Sequence, residues 1–241
     1  MGHSTVLIEL EGVRLLTDPV LVSRVAHLRR HAPPVEESVF GEPDAVLISH
    51  LHHDHLDLSS LRRLGGDTPL IVPAGAGRWL ERKGFNFVTE LSVGEDASVG
   101  GVTVTAVDAR HDGRRFAGPR VGSLGYLVGG RRVVYFAGDT GLFAEMADFA
   151  PAPDVALVPV AGWGPRLGPG HMTPSEAAQA VALMAPRIAI PVHWGTLRRI
   201  GLAGRHGERN DEAPNRFAEQ VATLAPDVEV RILRPGEETE P

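Results

Sequence analysis

Short apolar runs separated by turn residues predict mostly β-strands in the first half of the chain. Segments 4–10 and 13–19 flank Glu11-Gly12 and predict a β-hairpin. Further predictions are strands at 44–50, 69–73 and 102–111, a helix at 57–64 with Asp57 as its N-cap, a helix at 74–84, and a hairpin at 123–139 that turns at Gly129-Gly130. Loop-like stretches lie at 20–43, 112–122, 161–171 and 198–213.

In the second half, helical periodicity alternates with short apolar runs. Helices are predicted at 143–150, 173–185 and 213–225, and strands at 154–160, 187–193 and 228–233. Repeated βα units after a series of hairpins predict an α/β (α+β) fold with mixed sheets and helices packed outside them. A chain of 241 residues without a credible linker is expected to form one domain, 1–241.

Composition narrows the function classes. The absence of cysteine excludes disulfides, thiolate zinc sites and cysteine nucleophiles. A formal net charge of −6 argues against a general nucleic-acid binder, so no nucleic-acid partner is expected. No apolar run is long enough to cross a bilayer, and the first residues, MGHSTVLIELEG, do not resemble a secretory signal. We therefore expect a cytoplasmic protein without stable membrane insertion, and the sequence leaves a homo-oligomer open.

Histidines and carboxylates follow several of the predicted strands. The stretch SHLHHDHLD contains the pattern H-x-H-x-D-H, in which alternation sends His50 and His52 to the same side, ready to clamp one ion. Asp54 and His55 then face a second position. Three further candidates each follow a predicted strand: His111, Asp139 and His193. Side chains at strand ends can converge on one rim of a sheet, so the pattern predicts a metal centre.

These motifs, in this order, resemble the metallo-β-lactamase fold superfamily. The stretches GHSTVLIELEGVRLLTDP, SHLHHDHLD, GHMTPSEAA and IPVHWGT are similar to its branch containing L-ascorbate-6-phosphate lactonase and N-acyl-phosphatidylethanolamine phospholipase D. The resemblance implies an αββα four-layer sandwich with the metal site at one rim of the two sheets. Members of the family carry additional strand residues before the Gly-His pair, so we expect a first strand truncated at the N-terminus or a native gene that starts upstream of Met1.

The resemblance also implies a ligand set for two divalent ions. His50, His52 and His111 would hold the first ion, while Asp54, His55 and His193 would hold the second and Asp139 would bridge them. Zinc is the first expectation, with manganese or iron left open. Such a pair lowers the pKa of a bridging water from 15.7 toward about 7 and yields a hydroxide nucleophile. Hydrolysis is therefore the expected reaction, with Asp54 and His171 as the candidate catalytic residues.

Other residues are expected around this centre. Asp18 in LLTDP and His3 in GHST are expected to support the ligands from outside. His171 precedes the predicted N-cap Thr173 and a capping box closed by Glu176, beside unsatisfied helix N–H groups that favour anions. Phospholipase-like members of the family have a histidine there that contacts substrate phosphate. His53, which is out of step with the pattern, is predicted to be a loop residue, and exposure is predicted for His27, His31 and His206.

The partner expected from these features is a small anionic molecule. Residues that lie close in sequence to the site motifs are the candidates for contacts to this molecule: Arg114, Arg115, Arg166, Trp163 and Trp194. The leading hypothesis is hydrolysis of a phosphodiester, and the alternative is a lactonase acting on a (phosphorylated) sugar lactone. A non-catalytic metal-binding sensor is the alternative of another class. The basic stretch VLVSRVAHLRRH could touch a membrane surface, but we interpret it as a lid or structural loop.

Overall fold

Two β-sheets form the frame of the computed structural model, which describes residues 1–162, 167–201 and 207–240. In these residues the first sheet has the strand order β1 (Leu7–Leu10), β2 (Val13–Thr17), β5 (Ala45–Leu47), β6 (Leu70–Pro73) and β7 (Val88–Leu91). The second sheet has the order β15 (Glu229–Val230), β13 (Ile188–Val192), β12 (Val155–Pro159), β11 (Val133–Phe136), β10 (Ser123–Gly129), β9 (Val102–Ala109) and β8 (Asp96–Val99).

Helices and a small third sheet complete the described structure. The helices are α1 (Glu37–Phe40), α2 (Leu58–Leu64), α3 (Gly77–Glu81), a 3₁₀ helix (Ala144–Asp148), α4 (Pro174–Met184) and α5 (Gly207–Leu224). The small sheet has the order β14 (Leu197–Arg199), β4 (Leu28–Arg30) and β3 (Arg24–Val25). No helix in the described ranges is long and apolar enough to cross a membrane.

Three apolar clusters define four layers. Leu15 and Leu47 of the first sheet pack with Phe136 of the second in a cluster between the sheets. Because side chains alternate along a strand, Leu16 points to the opposite face and joins the cluster under α2 and α3. On the far side of the molecule, Phe217 of α5 belongs to the cluster that covers the outer face of the second sheet. The order helix, sheet, sheet, helix confirms the expected αββα sandwich.

Local signals located most elements correctly. The first hairpin pairs Leu10 with Val13, and Glu11 and Gly12 both have positive φ, as a type I′ turn requires. The N-cap at Asp57 is also confirmed, since its Oδ2 accepts a hydrogen bond of 2.7 Å from Ser60 N. The single-domain assignment stays a prediction.

Several boundaries differ from the predictions. Gly129 pairs with Val133 in β10 and β11, so the second turn comprises residues 130–132 instead of Gly129-Gly130. Helix α3 is shorter than the predicted 74–84, α5 begins earlier than 213, and only Glu229–Val230 of the last predicted strand pairs. The loop-like stretch 20–43 contains β3, β4 and α1, because its short strands pair mainly with each other and with distant β14.

Candidate metal centre

Three imidazoles meet at one rim of the sandwich. His50 and His52 follow β5, and His111 follows β9 of the other sheet. The Nδ1 atom of His52 lies 3.0 Å from His50 Nε2 and 3.1 Å from His111 Nε2. Tetrahedral zinc with bonds of 2.0–2.1 Å separates its nitrogen ligands by about 3.3 Å. The three nitrogens therefore have the spacing of ligands to one ion.

A second group lies beside the first. His55 Nε2 is 3.2 Å from His193 Nε2, and each of these nitrogens is 3.8 Å from Asp54 Oδ2. Asp139 adjoins this group, with its Oδ2 3.2 Å from His55 Nε2 and its Oδ1 3.3 Å from His193 Nε2. Ligand atoms of Asp139, His111 and His171 also lie within 4.8 Å of one another. Asp139 thus reaches both groups, and all seven residues predicted as ligands come together.

Acceptors behind four of the imidazoles set which ring nitrogen faces the centre. The Nδ1 atoms of His193 and His111 lie 2.8 Å from Ala161 O and 2.9 Å from Gly170 O. His55 Nδ1 lies 2.6 Å from Asp18 Oδ2, and His50 Nδ1 lies 2.9 Å from Ser49 Oγ. Each Nδ1–H can therefore donate outward, so that a neutral ring presents an unprotonated Nε2 to the centre, the arrangement typical of metal-ligating histidines.

Asp18 and His3 both contact the candidate ligands. Asp18 is fully buried, and burial raises its pKa against the opposing effect of His55. Besides His55 Nδ1, its carboxylate accepts hydrogen bonds from Ser49 N at 2.7 Å and Ser49 Oγ at 2.5 Å. His3 Nε2 lies 3.1 Å from Asp54 Oδ2, and its ring centroid lies 3.9 Å from that of His193. The predicted positions of Asp18 and His3 beside the ligands match the geometry.

Backbone strain concentrates at the same place. His3, Asp18 and His193 have φ values of 56°, 34° and 62°, a region that residues with a Cβ rarely adopt. Gly138 precedes Asp139 with φ 59°, and a Cβ on it would lie 2.4 Å from Ser49 Cβ. Only glycine permits this approach of the two loops. Such strain persists where the surrounding structure imposes it, commonly at functional sites.

Burial sets the charge states of the imidazoles. It lowers the pKa of His193 to about 3 and that of His111 to about 4, and it also lowers the pKa values of His50 and His52. Burial acts in the same direction on His55, but Asp139, Asp18 and Asp54 outweigh it and raise its pKa well above the ordinary value. Neutral imidazoles are the form that binds metal ions, so the four rings with lowered pKa values are ready to bind, whereas His55 has to release a proton when it binds one.

Both central carboxylates are ionised. Burial opposes their charge, but neighbouring imidazoles outweigh it and hold the pKa values of Asp54 and Asp139 well below the ordinary range. Within the described residues, Asp139 Oδ1 is buried without a hydrogen-bond partner. A buried, charged oxygen without a donor is costly unless a cation neutralises it. The oxygen and the converging nitrogens fit divalent metal ions.

His171 stands next to this centre, before α4. Its Nε2 lies 3.3 Å from Asp139 Oδ2, and its Nδ1 lies 3.1 Å from Gly168 O. Burial lowers the pKa of His171, but the hydrogen bond to Asp139 outweighs it, so the net shift is upward. The predicted capping box is present, since Thr173 Oγ1 accepts from Glu176 N at 3.3 Å and Thr173 N donates to Glu176 Oε2 at 2.8 Å.

Three of the five predicted substrate contacts have other partners in the structure. Arg114 is exposed and forms an ion pair with Asp112, with Nη2 2.8 Å from Oδ2. Arg115 donates to main-chain oxygens of the loop that follows β5. Trp194 donates from Nε1 to Pro191 O at 2.9 Å. Trp163 and Arg166 lie outside the described residues, as does His206, whereas His27 and His31 are exposed as predicted. His53 lies in the loop after β5, as predicted, and is also exposed.

Sequence reasoning did not identify Ser49, which links His50 to Asp18. Its position directly before the first ligand was the only local signal, because the contact with Asp18 crosses 31 positions of the chain. The fold and the convergent histidines and carboxylates define the class as a metal-dependent hydrolase of the metallo-β-lactamase type.

Comparison with known proteins gives the family. Residues 13–194 match the model of the Beta-lactamase superfamily domain, and the chain belongs to this family. A UPF0173 metal-dependent hydrolase from Methanopyrus kandleri is 35% identical over 250 residues, which cover 100% of this chain and 97% of that protein. The structure of Igni18, a metallo hydrolase from Ignicoccus hospitalis, is similar with a TM-score of 0.76 and 26% identity, covering 98% of this chain and 94% of Igni18.

One relative has a more specific name. An N-acyl-phosphatidylethanolamine-hydrolyzing phospholipase D 1 from Caenorhabditis elegans is 33% identical over 223 residues. The match covers 81% of this chain and 63% of the C. elegans protein, so the chain spans less than two thirds of that relative.

Proposed function

We propose that the protein is a dinuclear metal-dependent hydrolase of small anionic esters, most specifically phosphodiesters. His50, His52 and His111 would hold one ion, Asp54, His55 and His193 the other, and Asp139 would be shared. Two such ions would supply a water of lowered pKa as nucleophile and positive charge for the oxygens that become negative in the reaction.

The observation that carries the phosphodiester assignment is the position of His171. Both of its ring nitrogens face oxygens that can only accept hydrogen bonds, Asp139 Oδ2 and Gly168 O. Both nitrogens can therefore donate at once, and the upward shift of the pKa of His171 favours this cationic form of the ring beside the metal ligands. A cationic donor there can hold a non-bridging phosphate oxygen or give its proton to the departing alkoxide.

The adjoining helix strengthens this interpretation. α4 begins at Pro174, directly after the capping residue Thr173, so its positive dipole end lies close to His171 in the chain. The C. elegans relative supports the same substrate class, because its name describes cleavage of a phosphodiester lipid. A separate contact supports the proposed ligand set: His3 Nε2 lies 3.1 Å from Asp54 Oδ2 and so fixes the carboxylate that the second ion would use.

Metal analysis followed by parallel assays on bis(p-nitrophenyl) phosphate and a panel of lactones tests the proposal. We expect about two bound ions per chain and phosphodiesterase activity in the wild type. His171→Ala should keep the metal content and lower kcat/KM by about 100-fold, the scale of a lost acid or anion contact. His31→Ala, an exposed histidine, is the matched control and should match the wild type.

Other outcomes identify the alternatives. Turnover of lactones that is indifferent to His171→Ala would replace the phosphodiesterase by a lactonase. Two bound ions without turnover of either class would favour a metal-binding sensor.

A further inference from the structure

Arg115 connects two loops that carry candidate metal ligands. Its Nη1 donates to Leu56 O at 2.6 Å and to Leu51 O at 3.3 Å. These two carbonyls mark the ends of the segment 51–56, which contains His52, Asp54 and His55. One guanidinium nitrogen therefore holds both ends of the segment that supplies three of the seven candidate ligands.

The loop that carries Arg115 begins with another ligand, His111. A main-chain hydrogen bond of 3.3 Å from Leu51 N to Gly113 O already joins the two loops. They are packed so closely that a Cβ on Gly113 would lie 2.8 Å from His50 Cβ. The distance of 3.1 Å between His52 Nδ1 and His111 Nε2 therefore depends on how these loops are joined.

The side chain of Arg115 is itself held in place. Its Cζ lies 5.6 Å from the ring centroid of Trp79 on α3, within cation–π range. The residue is half-buried, and its described hydrogen bonds go to main-chain oxygens. Its neighbour Arg114 differs, because it is exposed and paired with Asp112. Hydrogen bonds from a charged group to main-chain oxygens are stronger than those between neutral groups.

We propose that Arg115 is a positioning residue, which fixes segment 51–56 against the His111 loop and so sets the spacing of His50, His52 and His111. Its role is to preorganise the metal-binding nitrogens, and it does not depend on which substrate the enzyme hydrolyses. The proposal rests on the metal centre of the proposed function.

Zinc affinity of the metal-free protein tests this role directly. In competition with a chromophoric chelator, Arg115→Met should bind the ion of the first group at least about 10-fold more weakly, as losses of outer supports of metal ligands do. Arg115→Lys keeps one donor and should be intermediate. The matched control is Arg216→Met, which removes an exposed arginine paired with Glu212 on α5 and should leave the affinity unchanged.

Two further measurements separate positioning from general destabilisation. The visible spectrum of the cobalt-loaded protein reports ligand geometry and should change in Arg115→Met while its circular dichroism remains that of the wild type. In a His111→Ala background, Arg115→Met should have a smaller effect on affinity, because the ligand whose spacing it sets is gone.

Unchanged zinc affinity and an unchanged cobalt spectrum in Arg115→Met would overturn this proposal and leave the proposed function intact. A wild-type protein that binds no metal would overturn both. Metal binding with no hydrolysis of any ester would remove only the proposed function.

Discussion

At the scale of single residues, Asp18 is the point where the two ligand groups meet. Its Oδ2 contacts His55 of one group directly, and it reaches His50 of the other through Ser49 Oγ. Its Oδ1 accepts from Ser49 N, so at least three donors converge on one carboxylate. A carboxylate is required because every one of these neighbours needs an acceptor, and both oxygens of Asp18 are used.

Replacing Asp18 by Asn should therefore weaken both ion sites with almost no change in volume. The amide has one acceptor oxygen, so either Ser49 N–H or His55 Nδ1–H would lose its acceptor and face an NH₂ group instead. We expect zinc affinity to fall about 10–100-fold, measured by chelator competition. Asp67→Asn is the control, since the side-chain contact described for Asp67 is a hydrogen bond of 2.8 Å from Asn86 Nδ2 and involves no candidate ligand. Wild-type affinity in Asp18→Asn would contradict the role of the carboxylate.

At the scale of elements, the sequence predicted helix caps and turns, which depend on nearby residues, but it did not predict strands that depend on pairing with distant ones. The sequence TPSE predicted the capping box of α4, because all its partners lie within three residues. Strands β7 and β8 were missed because they are largely polar and half exposed, so their existence depends on the strands beside them. The candidate ligands could be identified from residue type and order. The hydrogen bond from Arg115 to Leu56 O could not be predicted, because it joins residues 59 positions apart and no local sequence pattern indicates it.

The cap of α4 gives a prediction at this scale. Thr173→Ala removes the acceptor for Glu176 N and should lower the free energy of unfolding of the metal-free protein by about 1 kcal/mol in urea titrations. Because His171 is two residues away, the variant should also raise KM for the phosphodiester while metal content stays constant. Thr223→Ala on α5, where the hydroxyl contact seen in the described residues is to Glu219 O of its own helix, should change neither quantity. Equal free energies of unfolding for Thr173→Ala and the wild type would show that this cap does not stabilise the protein.

At the scale of the whole molecule, the candidate centre exists only when the two sheets are packed together. His50 and Asp18 follow strands of the first sheet, whereas His111, Asp139 and His193 follow strands of the second. The same packing brings Asp54 and Asp139, both ionised and buried, close to each other through His55 and His193. Cations between the sheets would offset this concentration of negative charge, so ion binding and folding should be coupled.

Removal of metal should therefore destabilise the entire sandwich. An ion present at 100 times its dissociation constant stabilises the folded state by about 2.7 kcal/mol per site, which for a domain of this size corresponds to a rise in Tm of about 5–10 °C. Thermal unfolding with zinc and with a chelator measures the difference. A double variant, His50→Ala with His193→Ala, removes one nitrogen ligand from each group and should lose most of the zinc-dependent shift. If zinc raised the Tm of this variant as much as that of the wild type, the ion would be acting elsewhere, and the convergence of the two sheets on one metal centre would lose its thermodynamic support.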